Sequence, residues 1–310
     1  MSIVVYLGDA QETQEWIALL SGLLPGFDIR DFDDPGDLGA VEYAVVWAPP
    51  AGRIKAFPNL KAVVSIGAGV DHVLRDPELP RHLPILRTTG PDMVQRLREY
   101  VALHFLTHHR DLAVTDANQA RAHWQQIVTP IAPKRRVGIM GLGNIARACA
   151  RTLAMLGFDT AGWSRSGGAV EGVTVFAGAE GMPAFLARCD ILVCLLPLTP
   201  QTRDILNADL FARLPRGAGL INAARGGHLV EADFLAALDC GQLGGATLDV
   251  FRTEPLPEDH PFWRHPKIRV TPHIASMIDA ETGASVIAAN IRAFEATGTC
   301  EAVADAERGY

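Results

Sequence analysis

Apolar positions along the chain fall into short β-rich runs that alternate with stretches where they recur every three or four residues. Residues 3–7, 43–48 and 60–66 read as strands, and 14–24 as a helix with Trp16, Leu19, Leu20 and Leu23 on one face. Residues 96–112 read as a long helix carrying Leu97, Val101, His104, Phe105 and His108, followed by a polar loop through Trp124 to Pro133. A short apolar run at Val137, Ile139 and Met140 then meets Gly141 and Gly143, and Ile145, Cys149, Leu153 and Leu156 mark one face of a helix that Gly157 can stop. Strand runs at 159–163, 191–196, 220–223, 246–250 and 268–271 are interleaved with helical patterns at 208–214 and 231–238. Such alternation predicts α/β architecture with parallel sheets covered on both faces.

The stretch 135–157 has the order a dinucleotide site needs: strand, glycine turn, helix start. Gly141 allows the tight turn, Gly143 leaves room for a pyrophosphate, and the N–H groups near Asn144 and Ile145 favour its charge, with Leu142 between the glycines. Ala146 stands at the third small position, where only close packing of helix on strand is required. At the end of the next strand a site for NAD usually places an acid on the ribose; here the chain reads Ser164, Arg165, Ser166. A guanidinium with two hydroxyls suits a 2'-phosphate, so NADP is expected over NAD. Leu196, Pro197, Thr202 and Ala223 lie at or just after strand ends and are assigned to the cofactor side, because ligands of doubly wound sheets bind beyond the carboxyl ends of strands.

Length and composition set the frame without changing it. The 310 residues suffice for about two domains, and 48% hydrophobic with 20% charged residues is ordinary for a globular chain. A formal charge of -7 and the lack of a basic run argue against nucleic acid or an anionic membrane as partner. The five cysteines, Cys149, Cys189, Cys194, Cys240 and Cys300, show no CxxC spacing and read as reduced thiols, mostly in the core, of a cytoplasmic protein. The amino-terminal run is too short and too soon broken by acids for a signal peptide, and no segment has membrane-spanning length. His104 and His108 have ligand spacing, but no third ligand is evident, so no metal is expected.

Three residues beyond strand ends carry candidate chemistry: Arg225 in INAARGG, Glu254 in DVFRTEPLP and His273 in VTPHIAS. Together they supply a carboxylate anchor, an acid that favours an imidazolium, and a proton donor near neutral pH. Gly67 to Asp71, after an earlier strand, can present backbone N–H groups to an anion or form a plain tight turn.

In order and spacing, GLGNIA, INAARGG, LDVFRTEPLP and TPHIAS resemble the D-isomer-specific 2-hydroxyacid dehydrogenase family, and within it the chain looks most like the glyoxylate/hydroxypyruvate reductase A branch. VVWAPP, SIGAGVDH, WSRS and the terminal RGY extend the resemblance over nearly the whole chain. It implies two doubly wound domains with the cleft between them: a flavodoxin-like substrate domain, 1–97 with 281–310, and an inserted Rossmann NAD(P)-binding domain, 98–280. It also implies NADPH-dependent reduction of glyoxylate and hydroxypyruvate by a homodimer. Arg225 would bind the 2-oxoacid carboxylate and polarise its ketone, protonated His273 would donate the proton, and Glu254 would hold the imidazole. Backbone N–H groups of Ala68 and Gly69 would share the carboxylate, Asp249 would lie near the nicotinamide amide, and Trp47 would narrow the pocket, unless it is a core tryptophan. Two alternatives stay open on the sequence: a reductase of a bulkier 2-oxoacid such as phenylpyruvate, and a dinucleotide-sensing binding protein of this fold.

Overall fold

The structure, a computed structural model, describes residues 1–305; the RGY segment at 308–310 lies outside them. The chain divides into two compact units, one built from Met1–Met93 and the segment from Ile278 onward, the other from Val94–Met277.

In the first unit the strands are β1 (Ser2–Tyr6), β2 (Asp28–Asp31), β3 (Val41–Val46), β4 (Ala62–Ser65) and β5 (Ile85–Arg87). They pair in parallel in the order β2-β1-β3-β4-β5, the flavodoxin-like order. Side chains alternate between two apolar layers because successive Cβ atoms point to opposite faces. Ile3, Val5, Tyr43 and Val45 meet α1 (Ala10–Leu23) and, from the end of the chain, a helix at Ala280–Thr297 through Trp16, Leu20, Ala284 and Ile287. Val4, Ala44 and Val46 face Ile54, Phe57 and Val73, the last in a short helix α2 (Asp71–Leu74). After the terminal helix, Ala302 and Ala304 bond β5 along its edge.

The unit boundary falls inside α3 (Pro91–His109). The second unit adds α4 (Leu112–Ala120), β6 (Arg136–Met140), α5 (Asn144–Met155), β7 (Asp159–Ser164), β8 (Thr174–Ala177), α6 (Gly178–Leu186) and β9 (Ile191–Cys194). It continues through α7 (Ala208–Ala212), β10 (Ala218–Asn222), α8 (Glu231–Asp239), β11 (Leu243–Leu248) and β12 (Ile268–Val270); the terminal helix of the first unit is α9. All seven strands are parallel, in the order β12-β11-β10-β9-β6-β7-β8, a Rossmann sheet whose strand order reverses between β6 and β9. One face packs on α3 and α5 through Phe105, Cys149 and Leu153, the other on α6 and α8 through Phe185 and Phe234. The two expected parallel-sheet domains are both present.

Several sequence expectations shift. The long helix starts at Pro91, because proline's fixed φ and missing N–H suit a first helical turn. Helix α4 occupies part of the expected polar loop; Leu112 and Val114 are exposed and Asn118 is its buried residue, so no apolar stripe announced it. Leu156, expected on the buried face of α5, is its C-cap and half exposed, while Cys149 and Leu153 are buried. The short strands β2, β5 and β8 lie at sheet edges, where one-sided pairing tolerates polar sequences such as DIRD. Cys149, Cys189 and Cys194 are buried, but Cys240 is exposed.

Candidate active site and dinucleotide loop

Because the second sheet is wholly parallel, the loops after β6, β7, β9, β10, β11 and β12 all leave by one edge. Gly141 ends β6 with φ +99, and a Cβ there would lie 2.8 Å from the Leu195 carbonyl oxygen, so turn and packing both require glycine. Gly143 is the N-cap of α5 and provides no side-chain cap, while the space where its Cβ would stand is open. The first-turn N–H groups of α5, from Asn144 and Ile145 onward, therefore face a gap beside the glycine turn, which fits a pyrophosphate. Ala146 is buried, and Leu142 packs over Gly162 of β7.

After β7 the chain turns sharply. Ser164 Oγ accepts from the Gly167 N–H at 3.0 Å and lies 3.2 Å from the Gly167 carbonyl, so this hydroxyl shapes the loop. Arg165 and Ser166 are exposed on this loop. Leu196 is buried at the end of the β9 run, and Thr202 closes the following turn by donating to the Pro197 carbonyl at 2.7 Å and accepting from the Thr199 N–H at 2.8 Å. The Ala223 N–H donates to the Cys194 carbonyl at 3.3 Å, tying the end of β10 to β9.

Arg225, Glu254 and His273 follow β10, β11 and β12, which are neighbours in the sheet. His273 Nδ1 lies 2.7 Å from Glu254 Oε2, and Glu254 Oε1 accepts from the Phe251 N–H at 2.8 Å. Burial would raise the Glu254 pKa, but these bonds and the nearby charges of His273 and Arg225 hold the carboxyl below its ordinary range. The loops carrying Arg225 and Glu254 touch so closely that a Cβ at Gly226 would stand 1.8 Å from the Phe251 carbonyl carbon. Arg225 donates through Nη1 to the Ala224 carbonyl at 2.8 Å, and its own carbonyl accepts from Asn222 Nδ2 at 3.2 Å and from the His228 N–H at 3.2 Å. Both Asn222 and His228 are fully buried.

His273 has φ +55, a conformation rare for residues other than glycine. Its N–H donates to the Asp249 carbonyl at 2.8 Å, and the Asp249 carboxylate grips the rest of the loop. Asp249 Oδ1 accepts from Thr271 Oγ1 at 2.6 Å and from the Ile274 N–H at 3.0 Å, and Oδ2 accepts from the Ala275 N–H at 2.9 Å. Thr271 in turn lies 2.7 Å from the Tyr100 hydroxyl on α3; since Thr271 donates to Asp249, Tyr100 is the donor. Asp249, 1% exposed, thus holds the His273 loop with both carboxylate oxygens. Asn222 and Thr271 sit within segments that drew notice in the sequence; Tyr100 and His228 carried no signal there, since only folding brings them to these loops.

In the first unit, Trp47 packs against His72 with ring centroids 4.3 Å apart. The His72 ring is set by the Ala48 N–H on Nδ1 at 3.0 Å and by Ser65 Oγ beside Nε2 at 2.9 Å. Ser65 Oγ also accepts from the Gly67 N–H at 3.2 Å, whereas the N–H groups of Ala68 and Gly69 make no hydrogen bond among the described residues. This loop therefore offers two N–H donors, as an anion site requires. On α3, His108 bonds Thr247 across 3.1 Å and burial pushes its pKa down to about 4, while His104 packs against Tyr100 with the rings tilted. Among the described residues no group of three or more His, Cys, Asp or Glu is placed to hold a metal, and no helix is long and apolar enough to cross a membrane.

Residues 102–275 match the family model for the NAD binding domain of D-isomer specific 2-hydroxyacid dehydrogenases. The chain is 43% identical over 302 residues to a glyoxylate/hydroxypyruvate reductase A of Serratia proteamaculans, covering 96% of each chain. It is similar to the crystal structure of an NADPH-dependent glyoxylate/hydroxypyruvate reductase of Sinorhizobium meliloti in complex with NADP and sulfate, with TM-score 0.92 and 42% identity over 100% of this chain and 99% of that one. A D-isomer specific 2-hydroxyacid dehydrogenase of Xanthobacter autotrophicus in complex with NADPH and MES gives TM-score 0.92 and 42% identity over 99% of both chains. Family model, whole-chain identity and fold agree with the glycine loop and the Arg225, Glu254, His273 constellation: the chain belongs to the D-isomer specific 2-hydroxyacid dehydrogenase family.

Proposed function

We propose that this protein is an NADPH-dependent reductase of small 2-oxoacids, converting glyoxylate to glycolate and hydroxypyruvate to D-glycerate. The observation that carries this assignment is the His273–Glu254 pair, 2.7 Å apart, on the sheet edge that also bears the capless glycine loop. NADPH, when bound, supplies the hydride that adds to C2 of the oxoacid. The first-turn N–H groups of α5 would hold its pyrophosphate and Arg165 with Ser166 its 2'-phosphate. Arg225 clamps the oxoacid carboxylate and draws electron density from the ketone. Glu254 engages Nδ1 of the imidazole, so the second proton of charged His273 is on Nε2, from which it passes to the ketone oxygen. The neutral ring left behind regains its proton from water. We assign the Ala68 and Gly69 N–H groups to the far side of the carboxylate, Asp249 to the nicotinamide side through the loop it holds, and Trp47 to limiting the acid to two or three carbons.

Steady-state rates with glyoxylate and hydroxypyruvate, each with NADPH and NADH, test this. NADPH is expected to be strongly preferred, and Arg165→Asp to lower kcat/KM for NADPH about a hundredfold while sparing NADH, because it replaces a charge-assisted phosphate contact by repulsion. Binding of NADPH without turnover of either acid would favour the sensor reading, and equal turnover of phenylpyruvate would remove the size limit.

We assign the enzyme to the cytoplasm, acting as a homodimer. Leu103, Leu106, Leu112 and Ile127 line a hollow of about 340 Å³ together with Arg110 and the threonines Thr107, Thr115 and Thr129, and Trp124 and Val128 on the adjoining loop are 91% and 96% exposed. So much unburied apolar surface on α3, α4 and one loop suits a second copy of the chain. Sedimentation is expected to give a dimer that Val128→Asp with Leu103→Asp converts to monomer; a monomeric wild type would refute the assignment, and fractionation outside the cytoplasm would refute the location.

A further inference from the structure

We infer that Arg147 is a positioning residue for cofactor choice, setting the loop that carries Arg165 against the glycine loop. This rests on the NADPH assignment above. Arg147 sits in the first turns of α5, and its guanidinium reaches in two directions. Nε donates to the Leu142 carbonyl at 2.7 Å, and Nη1 donates to the Ala169 carbonyl at 2.7 Å. Leu142 lies between the two glycines of the turn, and Ala169 lies four residues beyond Arg165.

Each bond has a directional consequence. In a planar trans peptide the carbonyl and the following N–H point to opposite sides, so holding the Leu142 carbonyl toward Arg147 turns the Gly143 N–H away from it, toward the gap at the start of α5. The loop after β7 is fastened at its near end by Ser164, which bonds both backbone groups of Gly167, and at its far end by Arg147. Arg165 and Ser166 hang between those fastenings. The loop is also moulded around the guanidinium: Gly168 has φ +109, and a Cβ there would stand 2.7 Å from Arg147 Nη2. A dinucleotide with its pyrophosphate on α5 and a 2'-phosphate on Arg165 spans both loops, and one side chain sets their separation. A lysine cannot do this, because an ammonium lacks the fork that reaches two carbonyls facing different ways.

The test uses the full-length protein with 2',5'-ADP, 5'-AMP, NADPH and NADH. Calorimetry is expected to show the preference of Arg147→Met for 2',5'-ADP over 5'-AMP reduced about tenfold from that of the wild type, a difference of about 1.4 kcal/mol. The kcat/KM ratio of NADPH to NADH is expected to fall to the same degree while KM for glyoxylate is unchanged. Arg147→Lys is expected to behave like Arg147→Met; full rescue by lysine would mean that charge alone matters and would overturn the positioning role. Equal loss of both nucleotides, or no loss, would also overturn it. If the wild-type protein itself binds 2',5'-ADP no better than 5'-AMP, the NADPH assignment fails and this inference falls with it; if wild type discriminates and both variants do too, only the inference fails.

Discussion

His273→Gln is expected to lower kcat with glyoxylate and NADPH by about a thousandfold while leaving NADPH affinity within about twofold, since glutamine keeps a polar contact but cannot deliver a proton. Stopped-flow rates and cofactor titration check both halves; a variant within tenfold of wild type would mean that another group protonates the ketone. The companion change Glu254→Gln separates position from charge. Burial works against the Glu254 charge, but its bonds to His273 and Phe251 and the nearby Arg225 keep its pKa below the ordinary 4.5, so the carboxylate is ionised at neutral pH. Removing that charge takes the ionic partner from the imidazole while keeping a hydrogen-bonding group in place, so kcat is expected to fall with NADPH affinity unchanged; an unchanged kcat would contradict the role given to Glu254. The sign for stability is the reverse of a histidine's. A carboxyl whose folded pKa is depressed stabilises the fold above its unfolded value, and loses that contribution as pH falls through the folded one. The wild-type advantage over Glu254→Gln is therefore expected near neutrality, under about 1 kcal/mol because the pair is partly solvated, and to be lost in urea titrations as pH falls through and below the ordinary carboxyl range.

Arg225→Met is expected to lower kcat/KM about a thousandfold, through a large rise in KM for the oxoacid and a smaller fall in kcat. A two-point, charge-assisted carboxylate contact acts in ground and transition states alike, while the pull on the ketone acts as charge develops. Arg225→Lys is expected to recover only part of the loss, because a point charge does not reproduce the fork. The loop should survive both changes, since Asn222 and His228 hold it through the Arg225 carbonyl and not through its side chain. A near-normal KM in Arg225→Met would move the carboxylate site elsewhere, with the Ala68 and Gly69 N–H groups the first candidates.

Local chemistry is written in order along the chain, and that much was legible before folding. The β6 run, Gly141, Gly143 and the helix after them form one uninterrupted segment, so strand length, positive φ and helix start could all be read from neighbours in sequence. Arg225, Glu254 and His273 could be picked out because parallel strands put their carboxyl ends on one edge, a rule needing strand positions but not side-chain coordinates. Strands β2 and β8 and helix α4 escaped because periodicity detects buried faces and these elements bury little, and β5 escaped because three residues are too short a run to show alternation. Contacts between distant segments are a different matter. That Tyr100 donates to Thr271, that Asp249 clamps the loop of His273, and that Arg147 ties Leu142 to Ala169 depend on rotamers and helix docking over separations no pattern of hydrophobicity records. Apolar spacing selects elements and their faces because burial is non-directional, whereas hydrogen bonds demand distances near 3 Å and aligned donors. The order of the residues thus chose the fold and the chemistry, and packing of the folded chain chose which side chains hold that chemistry in place.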